Sequence, residues 1–147
     1  MSRKSLVPTE RGIRAYLEFW PPIFREVYRV LLRKGRSLSV DDVAAELGID
    51  RYAVLETLRD GRTSGFLRTR RQYRGNTVRT FWGVDPRVRE NLRRVLEDFP
   101  ELLICNRCRG TVEKKRGEWE GWKKILLRDG TSETLCPRCL SELKPSL

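Results

Sequence analysis

The stretch that decides the fold is Ser39–Val84, SVDDVAAELGIDRYAVLETLRDGRTSGFLRTRRQYRGNTVRTFWGV. It opens on Ser39-Val-Asp-Asp42, a capping-box-like helix start with Asp in place of the usual Glu. Val43, Ala44 and Leu47 follow at helical spacing, and Gly48 closes the segment. Asp50 is a good N-cap for a second helix that begins at Arg51, turns Val54, Leu55 and Leu58 inward, and ends near Gly61–Gly65. Val40–Arg62 therefore reads as helix, three-residue turn, helix, with a glycine in the turn. Phe66–Arg74 and Thr77–Val84, rich in Thr, Val and aromatics, flank a Gly75-Asn76 turn and read as a β-hairpin.

A small helical hairpin alone would satisfy the first half of that pattern. A helix-turn-helix followed at once by a basic β-hairpin is the layout of a winged helix, with the hairpin as its wing. Towards the N-terminus, residues 1–8 are basic and expected to fray. Thr9 caps a short helix with Ile13, Leu17 and Trp20 on one stripe, and Pro21-Pro22 ends it. The next helix starts at Pro22, runs to about Lys34 with Ile23, Val27, Val30 and Leu31 on its apolar face, and stops at Gly35. Towards the C-terminus, Asp85 is expected to cap a helix with Pro86 at its first position. Its apolar face is Val88, Leu92, Val95, Leu96 and Phe99, and Pro100 stops it. A domain boundary is placed near Phe99–Leu102.

Beyond that boundary, Cys105-Asn-Arg-Cys108 and Cys136-Pro-Arg-Cys139 are the chain's four cysteines, and there is no histidine. A CxxC brings two thiolates to one metal from a single tight turn, and two such knuckles close a tetrahedral site. Cys105, Cys108, Cys136 and Cys139 are thus the expected ligands of one structural Zn²⁺. Two disulfides or a redox CxxC is the competing reading, although neither pair sits in the βαβ pattern that a redox motif favours. The gap of residues 109–135 is longer than in the commonest zinc ribbons. Within it, Gly110 suits the turn after the first knuckle, Ile125–Leu127 suits a strand, and Asp129-Gly130 suits a turn. Trp119 and Trp122 either cover the metal site or, if exposed, anchor a partner.

The formal net charge is +11, and 31 residues are Lys or Arg against 20 Asp or Glu. Four thiolates on one Zn²⁺ would bring the charge to about +9. Arginine predominates, which favours bidentate contact with phosphate and guanine. The charge is uneven: from Arg51 to Arg79 there are eight Arg against Glu56 and Asp60. Arg51, Tyr52, Thr57, Arg59 and Arg62 fall on the second helix of the helix-turn-helix, the element that enters the major groove in such proteins. Arg68, Arg70, Arg71, Arg74, Asn76 and Arg79 fall on the hairpin. Arg68 and Arg70 share a face of the first strand and are expected to present one row of charge, with Arg74 and Asn76 at the tip. The bland alternative is a solvated basic face that keeps the protein soluble.

Without histidine the usual general base is missing, and no Gly-rich phosphate loop or nucleophile elbow is present, so no enzyme and no small-molecule substrate is expected. No apolar run is long enough to span a bilayer, and Met1–Pro8 carries no signal peptide. With metal-spaced cysteines, this points to a reducing interior, the cytoplasm, in association with the nucleoid.

The order winged helix, amphipathic helix, four-cysteine ribbon resembles archaeal transcription factor E and the alpha subunit of general transcription factor IIE. The residues that carry it are Arg71–Val84 with Phe81-Trp82, the helix from Pro86, the four cysteines, and the closing Leu135-Cys-Pro-Arg-Cys139. It covers roughly residues 20–143. The resemblance implies a transcription protein of archaeal or viral type that contacts RNA polymerase or DNA. The short connecting helix, long inter-knuckle loop and strong basicity favour duplex DNA as the main partner. RNA polymerase or another transcription protein, and RNA or a ribonucleoprotein, are the alternatives. The expected fold class is α+β: a basic segment and short helix over 1–20, a winged helix with its amphipathic helix over 21–100, and a zinc ribbon over 101–147.

Overall fold

A computed structural model describes residues 7–143; the expectation of fraying falls mostly on residues outside this range. The chain is α+β, with seven helices and three two-stranded antiparallel sheets among the described residues. In its first two thirds these are α1 (Glu10–Phe19), α2 (Ile23–Lys34), α3 (Val40–Leu47), α4 (Arg51–Thr63), β1 (Leu67–Arg74), β2 (Thr77–Val84) and α5 (Arg89–Glu97). The remainder comprises β3 (Leu102–Ile104), β4 (Thr111–Glu113), α6 (Lys114–Glu120), β5 (Lys123–Leu126), β6 (Ser132–Leu135) and α7 (Pro137–Glu142).

Local chemistry explains most of the boundaries. The Thr9 hydroxyl accepts the Gly12 N–H at 3.1 Å and starts α1. Ser39 and Asp42 close a reciprocal capping box at 3.1 and 3.2 Å, so the Asp variant of the motif works here. Gly35 and Gly48 end α2 and α3 in the left-handed conformation, φ 67° and 68°. Two expected caps differ. Asp50 stands at the N-cap of α4 but makes no side-chain cap bond, because its carboxylate faces Arg109 at 3.0 Å. Asp85 does not start a helix at Pro86. It is buried, and accepts the Arg87 N–H at 2.9 Å and the Arg87 guanidinium at 3.0 Å, with Arg68 at 3.3 Å. Residues 86–88 form a turn, and α5 begins at Arg89.

The main core is centred on α2, whose Phe24, Val27, Tyr28, Val30 and Leu31 are buried. Val43 of α3, Val54 and Leu58 of α4, Leu67 and Trp82 of the hairpin, and Leu92 and Val95 of α5 join it. Ile13 and Leu17 of α1 are fully buried in the same cluster, and α1 is tied to the α5 end of the chain by Arg14–Asp98 at 2.5 Å. The α1 helix is therefore a wall of this core. The β1–β2 hairpin pairs from Leu67↔Val84 to Arg74↔Thr77. Its root is held by a further antiparallel bridge, Leu38 N–H to Trp82 O at 2.8 Å and Trp82 N–H to Leu38 O at 2.7 Å.

Gly61 marks the closest approach of α4 to its neighbours. A Cβ there would lie 2.5 Å from the Tyr28 hydroxyl and 2.8 Å from Leu67 Cδ1. Tyr28 is fully buried and its hydroxyl meets that of Tyr16 at 3.0 Å, so it has little room to yield. Helix propensity alone would reward Gly61→Ala by about 1 kcal/mol. The expected result in urea unfolding is instead a net loss of about 1–3 kcal/mol, from overpacking. A gain would show that α2 and α4 part without cost.

The C-terminal unit is two small hairpins, β3–β4 and β5–β6, with α6 between them and α7 after them. The expected strand at Ile125–Leu127 is β5, displaced towards Lys123, and Gly130 takes the turn with φ 87°. The α6 helix was not read from the sequence. Gly117 lets it lie on β3 and β4, where a Cβ would meet Leu103 and Val112 side chains at 2.7 Å. The unit is fastened to the main core: Ile104 belongs to the main cluster, and the Leu102 N–H reaches Glu26 Oε2 at 3.3 Å.

Candidate metal centre and candidate nucleic-acid interface

The four cysteine sulfurs converge. Cys105 and Cys108 come from the loop between β3 and β4; Cys136 follows β6 and Cys139 lies in the first turn of α7. Their Sγ atoms all lie within 4.8 Å of one another, and Cys108 Sγ to Cys136 Sγ is 3.8 Å. Four sulfurs at about 2.3 Å from a tetrahedral ion would be about 3.8 Å apart. All four are free thiols, so the two-disulfide reading does not describe them. The Gly110 and Cys139 N–H groups point at Cys108 Sγ and Cys136 Sγ at 3.4 and 3.5 Å. The donors therefore fit a metal ion in number, chemistry and spacing. Burial pushes the Cys105 thiol up, but N–H groups of Cys108, Cys136 and Arg107 outweigh it and bring it down to about 6. Burial, and then hydrogen bonding with the other cysteines, pushes Cys139 up to about 12. A cation entering the cluster would displace the protons that remain.

The left-handed residue of the first knuckle is Arg109, φ 62°, and not Gly110. Trp122, Ile125, Leu140 and Leu143 pack around the buried cysteines. Trp119, by contrast, is 92% exposed and does not cover the cysteines.

The second site is a groove of about 820 Å³ between α4 and the hairpin. Arg51, Leu55, Arg59 and Arg62 share one stripe of α4 and all four line it, so Leu55, expected to turn inward with Val54 and Leu58, is half-buried at the groove. Arg71, Thr69 and Thr80 line it from one face of the hairpin, whereas Arg79 touches only its edge: it stands on the opposite face, with its guanidinium over the Phe81 ring at 5.4 Å. Among its lining residues the single carboxylate is Asp41, which pairs with Arg51 at 3.3 Å. Arg59, Arg62, Arg71 and Arg74 have no carboxylate partner among the described residues.

Other expected contacts are placed differently. Thr57 is fully buried, and its hydroxyl donates to the Ala53 carbonyl at 3.2 Å, so it is withdrawn from any interface. It belongs to the inward stripe with Val54, Leu58 and Gly61, which its spacing could have revealed. Arg68 and Arg70 do not form a free row. Arg68 is bound to Asp85, and Arg70 lies over the Phe81 ring at 5.7 Å, on the hairpin face opposite Arg71. Tyr52 is 76% exposed but lies on the neighbouring face of α4, beside Trp20 and Phe24. Arg74 and Asn76 are exposed at the tip, where Arg74 shares a small cleft with Gln72, Thr77 and Arg79. No helix among the described residues is long and apolar enough to cross a membrane. No protein-family model matches the chain, and no curated protein matches it by sequence.

Proposed function

We propose that this protein is a non-enzymatic, DNA-binding transcription factor, built as a winged helix with a zinc ribbon behind it. The observation that carries the reading is the arginine groove between α4 and the hairpin, in which Arg51, Arg59, Arg62 and Arg71 share the lining with one carboxylate. The order α2, α3, α4, hairpin, with Leu38–Trp82 as a third short pairing at the hairpin's root, supports the winged-helix assignment. In this reading α4 enters the major groove with Arg51 and Arg59 towards the bases, while Arg62 and Arg71 hold the backbone. Arg74 and Asn76 follow the strand at the tip.

The metal is Zn²⁺, because an all-thiolate tetrahedral set with no imidazole or carboxylate suits it. Cys105, Cys108, Cys136 and Cys139 would hold it, and it would supply a structural cross-link between the two knuckles.

Phosphate contacts make duplex affinity fall steeply with salt. The test is a salt titration on random duplex DNA with single-stranded RNA as competitor. Arg59→Ala with Arg71→Ala is expected to weaken all duplexes roughly 10- to 100-fold and to flatten the log–log salt slope by about 2. Arg68→Ala should leave the slope unchanged, since that side chain is committed to Asp85. No duplex binding at moderate salt would overturn the reading, and preference for RNA would redirect it to ribonucleoprotein.

The second reading is a module that docks on RNA polymerase or another transcription protein. Trp119 and Leu126, 92% and 77% exposed on the C-terminal unit, favour it. Polymerase retention that is lost in Trp119→Ala, with duplex binding weak, would support it.

A further inference from the structure

We infer that the first cysteine knuckle is a positioning element for α4: it clasps the turn between α3 and α4 and so makes the presentation of α4 depend on the metal. The inference rests on the reading of α4 as the helix that meets nucleic acid. The turn is Gly48-Ile49-Asp50, and the knuckle touches it at both ends. Asn106, inside the first CxxC, donates its Nδ2 to the Leu47 carbonyl at 3.1 Å, satisfying a carbonyl that the end of α3 leaves open. The fit is close, since a Cβ on Gly48 would lie 2.6 Å from that same Nδ2. At the other end the Arg109 guanidinium meets Asp50, the residue before α4, at 3.0 Å.

The other end of the Asn106 amide looks to the second knuckle. Its Oδ1 accepts the Thr134 N–H at 2.7 Å, and its own N–H donates to the Thr134 carbonyl at 2.8 Å. Thr134 stands two residues before Cys136. One side chain thus joins both knuckles to the turn of the helix-turn-helix. A metal that locks the knuckles together fixes Asn106, Asn106 fixes the turn, and the turn sets where Arg51 enters the groove.

Full-length, metal-loaded Asn106→Asp is the selective variant. It keeps an acceptor for Thr134 but loses the donor to Leu47. Three quantities are measured: metal per chain, amide hydrogen exchange over residues 48–54, and duplex affinity with its salt slope. The expected result is retained metal, exchange over 48–54 faster by about five- to tenfold, and affinity lower by a similar factor with the salt slope unchanged. An unchanged slope separates positioning from loss of a phosphate contact. Arg109→Ala, which leaves the Asn106 bonds in place, is expected to speed exchange mainly at Asp50–Val54. If both variants keep their metal and neither alters exchange across the turn, the inference is overturned. If exchange rises but the unmodified protein has no duplex affinity, the clasp stands and the DNA-binding reading falls.

Discussion

Stripping the metal, or replacing Cys105 with Ser, is expected to dismantle the part of the C-terminal unit from β5 onward and to disturb the main core at one place only. The unit's own cluster is small: three buried cysteines and Leu135, with four partly buried apolar residues around them. Such a cluster cannot offset chain entropy, whereas structural zinc contributes about 10–16 kcal/mol in small zinc domains at neutral pH. Unfolding of the stripped protein should therefore separate into two steps, with β5, β6 and α7 lost before the main core. β3 should persist, because Ile104 is buried in the main cluster. The α3–α4 turn should exchange faster, because Asn106 and Arg109 reach it. The checks are metal analysis, expected at about one zinc per chain, and thiol labelling. Cys108, the exposed cysteine of the four, should react first on chelation. Four thiols that label freely in the folded, metal-exposed protein would mean that no metal centre exists.

The second large effect is expected from Arg29→Ala. Arg29 is a bolt between α2 and the connection from α5 to β3. Its guanidinium donates to the carbonyls of Leu96 at 3.0 Å, Phe99, and Pro100 at 3.2 Å, and it pairs with Glu26. The Glu26 and Arg29 side chains are only 10% and 12% exposed. Truncating the arginine removes this donor from the Phe99 and Pro100 carbonyls, leaves the Leu96 carbonyl with its backbone N–H partners alone, and strands a carboxylate in a poorly solvated site with only the Leu102 N–H, an expected loss of about 3–5 kcal/mol. Burial already holds the Glu26 carboxyl above its ordinary 4.5, and the Arg29 charge opposes that rise. A carboxyl raised in the folded state favours folding below its unfolded pKa, and that advantage is lost as pH rises through the folded value. Without Arg29 the rise grows. The variant's deficit should be widest at neutral pH and should narrow on acidification through the raised value, and Glu26→Gln added to Arg29→Ala should recover part of it. A deficit that is flat with pH would show that the lost carbonyl bonds, and not the stranded charge, dominate.

What the sequence made legible follows from what is local. Ser39 with Asp42, Thr9, Gly35, Gly48 and the Gly75-Asn76 turn act within a few residues, and each behaves as read. The cysteine pairs were legible because a CxxC fixes its own geometry. The rest depends on partners distant in the chain. Period-two alternation separates Arg71 from Arg68 and Arg70, but which face of the hairpin turns towards α4 is set by packing of Leu67, Trp82 and Leu38. Asp85 looked like a cap, and only the folded hairpin brings Arg68 to it from 17 positions upstream. Asp50 was drawn off its capping role by Arg109, which reaches it across the boundary between the two units. Nothing in the residues between Cys105 and Cys108 announced that Asn106 would hold three elements together.

The root of the β1–β2 hairpin has a mechanical consequence. Leu67 and Val84 are buried, Asp85 N–H is bonded to the Phe66 carbonyl at 2.9 Å, and Trp82 is bridged to Leu38. Beyond Phe81 and Arg70 the side chains are almost all exposed, and a Cβ on Gly75 would meet nothing within 4 Å. The hairpin is thus a cantilever of about 25 Å, clamped at one end and free at the other. Displacement in such a beam grows towards the tip and vanishes at the clamp. A load applied at Arg74 or Asn76 would therefore bend the beam between tip and clamp and leave Thr69, beside the clamp, nearly in place. The same hairpin can hold its root and let its outermost charge accommodate whatever lies beyond it.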